Sequence, residues 1–287
     1  MQLTQGLLKR TVNKLLLPLG VQVIMAERLK EITSKSSRAE LIQRFFDCDE
    51  FTNSARLWLI QELDSSKSQI QQDLIALMIT NQISKGYFVE FGAASGKSGS
   101  NTYLLEKKYG WNGIVAEPAR VYRTDLHQWR SCHIDYRCVY SSSGIEVDFL
   151  ESKTSMLSTI LGYENQDSLS KDRKISRLYK VQTVSLNDLL SEYNAPKHIN
   201  YMSVDTEGTE LEILSKLNFQ KYSFDFLSIE HNSAIQEYAI EELMNVNGYV
   251  RVLRSFSRFD SWFVPKDYEV GKWLVESRVS KSKSGPE

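Results

Sequence analysis

Three things are scarce in this chain, and each scarcity excludes something. Cysteine occurs only at Cys48, Cys132 and Cys138, with no spacing that a metal site uses. So small and scattered a set gives no disulfide framework and suits a reducing, cytoplasmic compartment. Net charge is almost absent, because 35 basic residues face 36 acidic ones. Without a basic field to hold a phosphate backbone, a nucleic-acid partner is not expected. Long apolar runs are missing as well. The patch Leu15, Leu16, Leu17, Pro18 and Leu19 follows Lys9, Arg10 and Lys14 but is far too short to span a bilayer. It also lacks a small-residue cleavage site, which argues against a signal peptide. A small helix or hairpin docked on the domain is the preferred reading, with weak membrane contact as the lesser one.

What is present is ordinary globular composition, 41% hydrophobic over 287 residues, enough for one large domain plus an appendage. Residues 1–80 have no glycine after Gly20. Leu57, Leu59, Ile60 and Leu63, then Ile70, Leu74, Leu77 and Met78, recur at helical steps and read as core positions. This N-terminal helical region could also pair between two copies of the chain. The tail over 276–287 reads as disordered. Between them, 81–275 form the main domain.

From residue 86 the pattern alternates strand and helix. Expected strands are 87–92, 113–117, 135–141, 181–184, 200–205 and 224–230. Expected helices are 100–109, 121–129, 186–193, 210–217 and 235–246, with Ser185 and Asp188 resembling a capping box. The runs YVRVLRSF and SWFV, within 249–264, predict an antiparallel hairpin at the sheet edge. The polar stretch 145–180 sits where a lid or substrate loop could lie.

The segment YFVEFGAASG, Tyr87 to Gly96, carries the most information. An apolar strand ends in an acid, small residues follow, and a helix pattern begins. That order lets a ligand press against backbone at the carboxyl end of a parallel strand. Three cofactors compete for the turn. A dinucleotide site prefers G-x-G-x-x-G, but position 94 is alanine. A P-loop needs G-x-x-x-x-G-K-[ST], and here Gly92 stands one residue too close to Gly96-Lys97-Ser98. S-adenosylmethionine carries no phosphate and tolerates the looser E-x-G-x-x-x-G. Glu117, at the end of the next strand, is placed to accept hydrogen bonds from both hydroxyls of its ribose.

A second cluster is DTEGTE, Asp205 to Glu210, followed by SIEHN at Ser228 to Asn232. If these strands are neighbours, Asp205 and Glu230 stand side by side and raise each other's pKa. Asp205, Glu230 and His231 would then suit Mg²⁺ or Mn²⁺, which could orient a hydroxyl and lower its pKa. Alternatively His231 is a plain general base.

Together, FVEFGAASGKSGSNTYLLEKKYGWNGIVAEP (88–118), SVDTEGTELEIL (203–214) and SIEHN (228–232) resemble the FkbM family of S-adenosylmethionine-dependent methyltransferases. The resemblance covers about 86–264. It implies an α/β fold of the Rossmann-like class I methyltransferase type, with a mostly parallel seven-stranded sheet and an antiparallel edge hairpin. It also implies O-methylation of a sugar, glycan or natural product. Carried over by position, Glu90, Gly92, Ala93, Ser100, Asn101 and Thr102 would contact the methionine end of the cofactor. Glu117 and Pro118 would take the ribose, Ser141 and Ser142 would approach adenine, and Asp205 would sit between cofactor and acceptor. The chain departs from the family at Ala94-Ser95, where Asn-Asp or Thr-Asp is frequent. Two other readings are N-methylation and a non-catalytic binding module. The first usually needs an Asp/Asn-Pro-Pro-Tyr motif, and none occurs.

Overall fold

The structure, a computed structural model, describes residues 37–152, 158–163, 175–231, 233–269, 271 and 273–275. The patch at 15–19, the tail at 276–287 and Asn232 lie outside the described residues. The chain divides at Asp47/Cys48 into two compact units. The first contributes a helix over 37–47, α1. Residues 48–80, expected to lead into the domain from outside, belong to the same unit as the sheet.

That second unit runs α2 (Asn53–Glu62), α3 (Gln72–Ile79), β1 (Tyr87–Phe91), α4 (Tyr103–Tyr109), β2 (Asn112–Ala116), α5 (Arg123–Trp129), β3 (His133–Asp135) and β4 (Cys138–Tyr140). It continues with β5 (Glu146–Ser152), β6 (Thr159–Ile160), β7 (Ile175–Ser185), α6 (Leu186–Glu192), β8 (His198–Val204) and α7 (Glu210–Ser215). It closes with β9 (Ser223–Glu230), α8 (Ala234–Val246), β10 (Tyr249–Val252) and β11 (Asp260–Pro265). Local chemistry sets several of the helix starts. Thr52, Ser185 and Ser233 each accept a hydrogen bond from an amide in the first turn of the helix they precede. Helical spacing overstates one core position, since Leu59 is buried but Leu57 is 62% exposed.

Seven strands form one sheet in the order β10-β11-β9-β8-β1-β2-β3. The expected mostly parallel sheet is present. Its one antiparallel strand, β11, pairs with both β9 and β10. The hairpin of β10 and β11 therefore forms as expected, with β11 inserted inside the edge. Phe88, Val89 and Phe91 of β1 are all buried, as a central strand covered on both faces requires. The chain winds from β1 out to β2 and β3, then returns to lay β8 and β9 on the other side. Strand order thus reverses between β1 and β8, and ligands of such sheets bind outside the carboxyl ends there.

Two expectations are corrected. The single strand over 135–141 is broken into β3, in the large sheet, and β4, in a second sheet of order β4-β7-β5-β6. Arg137 explains the break, for its amide and guanidinium both turn back onto the Asp135 carboxylate. The stretch 145–180, read as a polar loop, contains most of that second sheet. β5 and β7 pair antiparallel from Glu146↔Gln182 to Ser152↔Ile175. Their polarity is that of a sheet with one wet face.

Among the described residues no helix is long and apolar enough to cross a membrane. All three cysteines are free thiols.

Candidate active site

The turn after β1 is built for close approach. A Cβ added at Gly92, which has φ of +72°, would lie 1.9 Å from the carbonyl oxygen of Asp205. Only glycine lets the ends of β1 and β8 meet this tightly. At Gly96, a Cβ would press on Leu126 and Arg130 at 2.8 and 2.9 Å, so the turn rests directly on α5 and the residue after it. Ala94 takes the left-handed conformation without being glycine, at φ of +49°. Its amide donates to Glu117 Oε2 at 2.9 Å, which helps hold it there.

Glu117 stands one residue past β2. Its other oxygen accepts the Ala119 amide at 2.8 Å. Burial pushes its pKa up to about 7, against those two hydrogen bonds, and the charges of Glu90 and Glu151 raise it further. Each carboxylate oxygen keeps a second lone pair, the complement of two vicinal hydroxyls. The cleft that Glu117 lines continues over Gly92, Ala94, Pro118, Cys138 and Val139, with Phe149 from the small sheet. An apolar wall beside an acid suits a nucleoside.

Glu90 is placed differently. It points inward and accepts from Ser100 Oγ, the Asn101 amide, Thr102 Oγ1 and Arg130 Nη1. Ser100 and Thr102 are thereby drawn onto Glu90, and the helix expected from residue 100 begins at Tyr103. Arg130 is buried and also bonds Glu106 at 2.5 Å, Ser100 at 3.1 Å and Thr102 at 2.8 Å. Glu90, Ser100, Asn101 and Thr102 therefore form the frame beneath the turn. Arg130 was not singled out from the sequence. The only available signal was indirect: a buried acid in a central strand demands a cation.

The turn is braced from the other side by the segment before α3. Gly99 donates to the Lys67 carbonyl at 2.9 Å. Asp73, buried, collects Ser66, Ser68 and the Lys67 amide. Gln69 reaches the cleft lining.

Asp205 follows β8 and Glu230 is the last residue of β9, just beyond the pair Val204 and Ile229. Burial holds the Asp205 pKa well above the usual carboxylate range, and the charges of Glu207 and Asp260 add to it. Glu230 is raised in the same way by burial, then by Asp205 and Glu207. The third carboxylate is Glu207, held at a left-handed φ of +59°. Asp205, Glu207 and Glu230 each offer an oxygen, and these atoms lie within 4.8 Å of one another.

His231, expected in that group, falls outside it. Its amide donates to the Phe259 carbonyl, tying it to the chain before β11. Burial lowers its imidazole pKa. Ser141 and Ser142 lie past β4 and do not line the cleft, where Cys138 and Val139 stand instead. Ala93 is buried, and its carbonyl closes the turn by accepting the Gly96 amide.

Comparison with known proteins bears on this geometry directly. The family model described as "Methyltransferase FkbM domain" matches residues 90–260, more than half of the chain. The chain belongs to the FkbM methyltransferase family. The matched span opens at Glu90 and closes at Asp260, so it contains Glu117, Asp205, Glu207 and Glu230 together. Its fold is the Rossmann-like class I methyltransferase fold, and FkbM membership implies S-adenosylmethionine as methyl donor. Among solved structures, the chain is similar to precorrin-6y C5,15-methyltransferase from Geobacter metallireducens GS-15. Identity is 8% and the TM-score 0.37, with 67% of this chain and 85% of that chain covered. No curated protein sequence matches this one.

Proposed function

We propose that this protein transfers a methyl group from S-adenosylmethionine to a hydroxyl of a sugar, glycan or glycosylated natural product. The observation that carries the proposal is the buried carboxyl pair of Asp205 and Glu230, both with raised pKa values, of which Asp205 lines the same cleft as Glu117. A hydroxyl is a poor nucleophile until its proton has somewhere to go, and a carboxylate of raised pKa is a stronger acceptor for it. S-adenosylmethionine, when bound, supplies a methyl group on a positively charged sulfur.

Glu117 and the turn over 92–96 seat the nucleoside, and the frame of Glu90 and Arg130 keeps that turn rigid. Asp205, whose carbonyl packs on Gly92, lines the same cleft. The Asp205–Glu230 pair would accept the proton of the acceptor hydroxyl as its oxygen takes the methyl group, S-adenosylmethionine leaving as the neutral thioether S-adenosylhomocysteine. Attack must be in line, so much of the rate comes from orientation.

An all-oxygen donor set of Asp205, Glu207 and Glu230 also fits Mg²⁺ or Mn²⁺. Such a cation would hold the acceptor oxygen and lower its pKa. Free thiols suit a reducing, cytoplasmic setting. The test is labelled-methyl transfer to a panel of free and nucleotide-linked sugars and glycans, run beside Asp205→Asn. Transfer to an amine but to no hydroxyl would overturn the proposal.

A further inference from the structure

The small sheet grips the loop that carries Glu117. After Glu117 the chain passes through Pro118 and Ala119 to Arg120 and Val121, and β5 and β7 supply what those amides bond to. The Arg120 amide donates to Tyr179 Oη at 3.0 Å, and the Val121 amide to Glu151 Oε2 at 3.3 Å. Tyr179 Oη in turn donates to the same Glu151 oxygen at 2.8 Å. The Arg120 guanidinium lies over the Tyr179 ring, 4.1 Å from its centre. Glu151 is 3% exposed and Tyr179 is half-buried, whereas Arg120 and Val121 lie at the surface, so the grip reaches from the interior out to the loop. Strand register explains it. Phe149 pairs with Tyr179 and Glu151 with Arg177, which puts Phe149, Glu151 and Tyr179 on one face of the sheet. Phe149 from that face lines the cleft.

We propose that Tyr179 and Glu151 are positioning residues of the cofactor site: by fixing residues 119–121 they aim the Glu117 carboxylate at the ribose. The proposal rests on the assignment of Glu117 to S-adenosylmethionine. It adds that two residues of the small sheet outside the cleft lining set cofactor affinity. Glu151 acts in a second way, because its charge adds to the rise in the Glu117 pKa. Neither residue lines the cleft, so removing either should loosen Glu117 without changing the cleft wall.

The test is calorimetric titration of the full chain with S-adenosylhomocysteine, across pH 5.5–8.5. Tyr179→Phe keeps the ring and its stacking but loses the hydroxyl. It should weaken binding about tenfold while the unfolding midpoint of the free protein stays within about 2 °C. Glu151→Gln should weaken binding similarly and also move the acid limb of the affinity profile, near pH 7 in the wild type, to lower pH. A merely structural lesion would not produce that second shift. Asp148→Asn breaks only a pair with Lys180 elsewhere on the sheet and should bind as wild type does. Equal weakening in Asp148→Asn, or wild-type affinity in Tyr179→Phe, overturns the proposal. If Glu151→Gln does not fold, Tyr179→Phe decides alone. No binding by the wild type would overturn the cofactor assignment itself, a result distinct from either.

Discussion

Glu117 and Ala94 are joined by a 2.9 Å hydrogen bond, the amide of the turn after β1 donating to the carboxylate after β2. The acid and the turn are thus one device. The folded protein holds a proton on Glu117 up to about pH 7, whereas the ordinary value is 4.5. The stabilisation from this group is complete below about pH 4.5 and lost as pH rises through 7. Urea unfolding of the free protein should show that fall, and Glu117→Gln should make it shallower. Cofactor affinity runs the other way, because an ionised carboxylate is the better acceptor for two hydroxyls. Binding of S-adenosylhomocysteine should strengthen as pH rises through 7 and be lost in Glu117→Gln.

Asp205→Asn keeps shape and removes the base. Its affinity for S-adenosylhomocysteine should stay within about twofold, while methyl transfer drops about a hundredfold or more. Equal loss of both would mean that Asp205 serves the cofactor and not the acceptor.

A divalent cation held by Asp205, Glu207 and Glu230 would relieve the repulsion among them. Millimolar Mn²⁺ should then raise the unfolding midpoint by several degrees in the wild type and not in Glu207→Gln. Absence of a shift in the wild type would leave the carboxyl pair to act without a cation.

Gly92→Ala forces a methyl group into the space of the Asp205 carbonyl. It should cost on the order of 3 kcal/mol or prevent folding. Gly110→Ala is the control. Its φ is +68° but nothing lies within 4 Å, so backbone strain alone should cost about 1 kcal/mol.

Arg130→Gln leaves Glu90 and Glu106 buried without their guanidinium. Breaking such a pair from one side should cost about 3–5 kcal/mol in chemical denaturation.

The strands of the sheet were legible because β1, β2, β8 and β9 are short apolar runs ending in acids or small residues, but their order was not. That Asp205 and Glu230 stand side by side depended on β8 and β9 being neighbours, and they pair in the structure. His231 was misplaced because adjacency in sequence says nothing about which side of a strand end a side chain takes. Glu207 was visible in DTEGTE, but only its left-handed backbone brings its carboxylate to the other two. The small sheet was missed because β5 alternates Val147 and Phe149 with Glu146 and Asp148, and average polarity hides a period of two. The brace at 66–73 was missed because its serines spend their hydroxyls on Asp73 and its contact with the turn is made by the Lys67 backbone.

The small sheet holds two loops with two separate sets of contacts. Glu151 and Tyr179 hold the loop after β2, while the end of the β6 hairpin holds the loop after β8. There, Thr159 Oγ1 donates to the Glu207 carbonyl at 2.9 Å and Tyr163 Oη to Glu212 at 2.5 Å. The two grips share no residue. Ser158 and Ile160 nevertheless line the same cleft as Glu117. A change in that short hairpin would therefore be felt at both ends of the cleft at once.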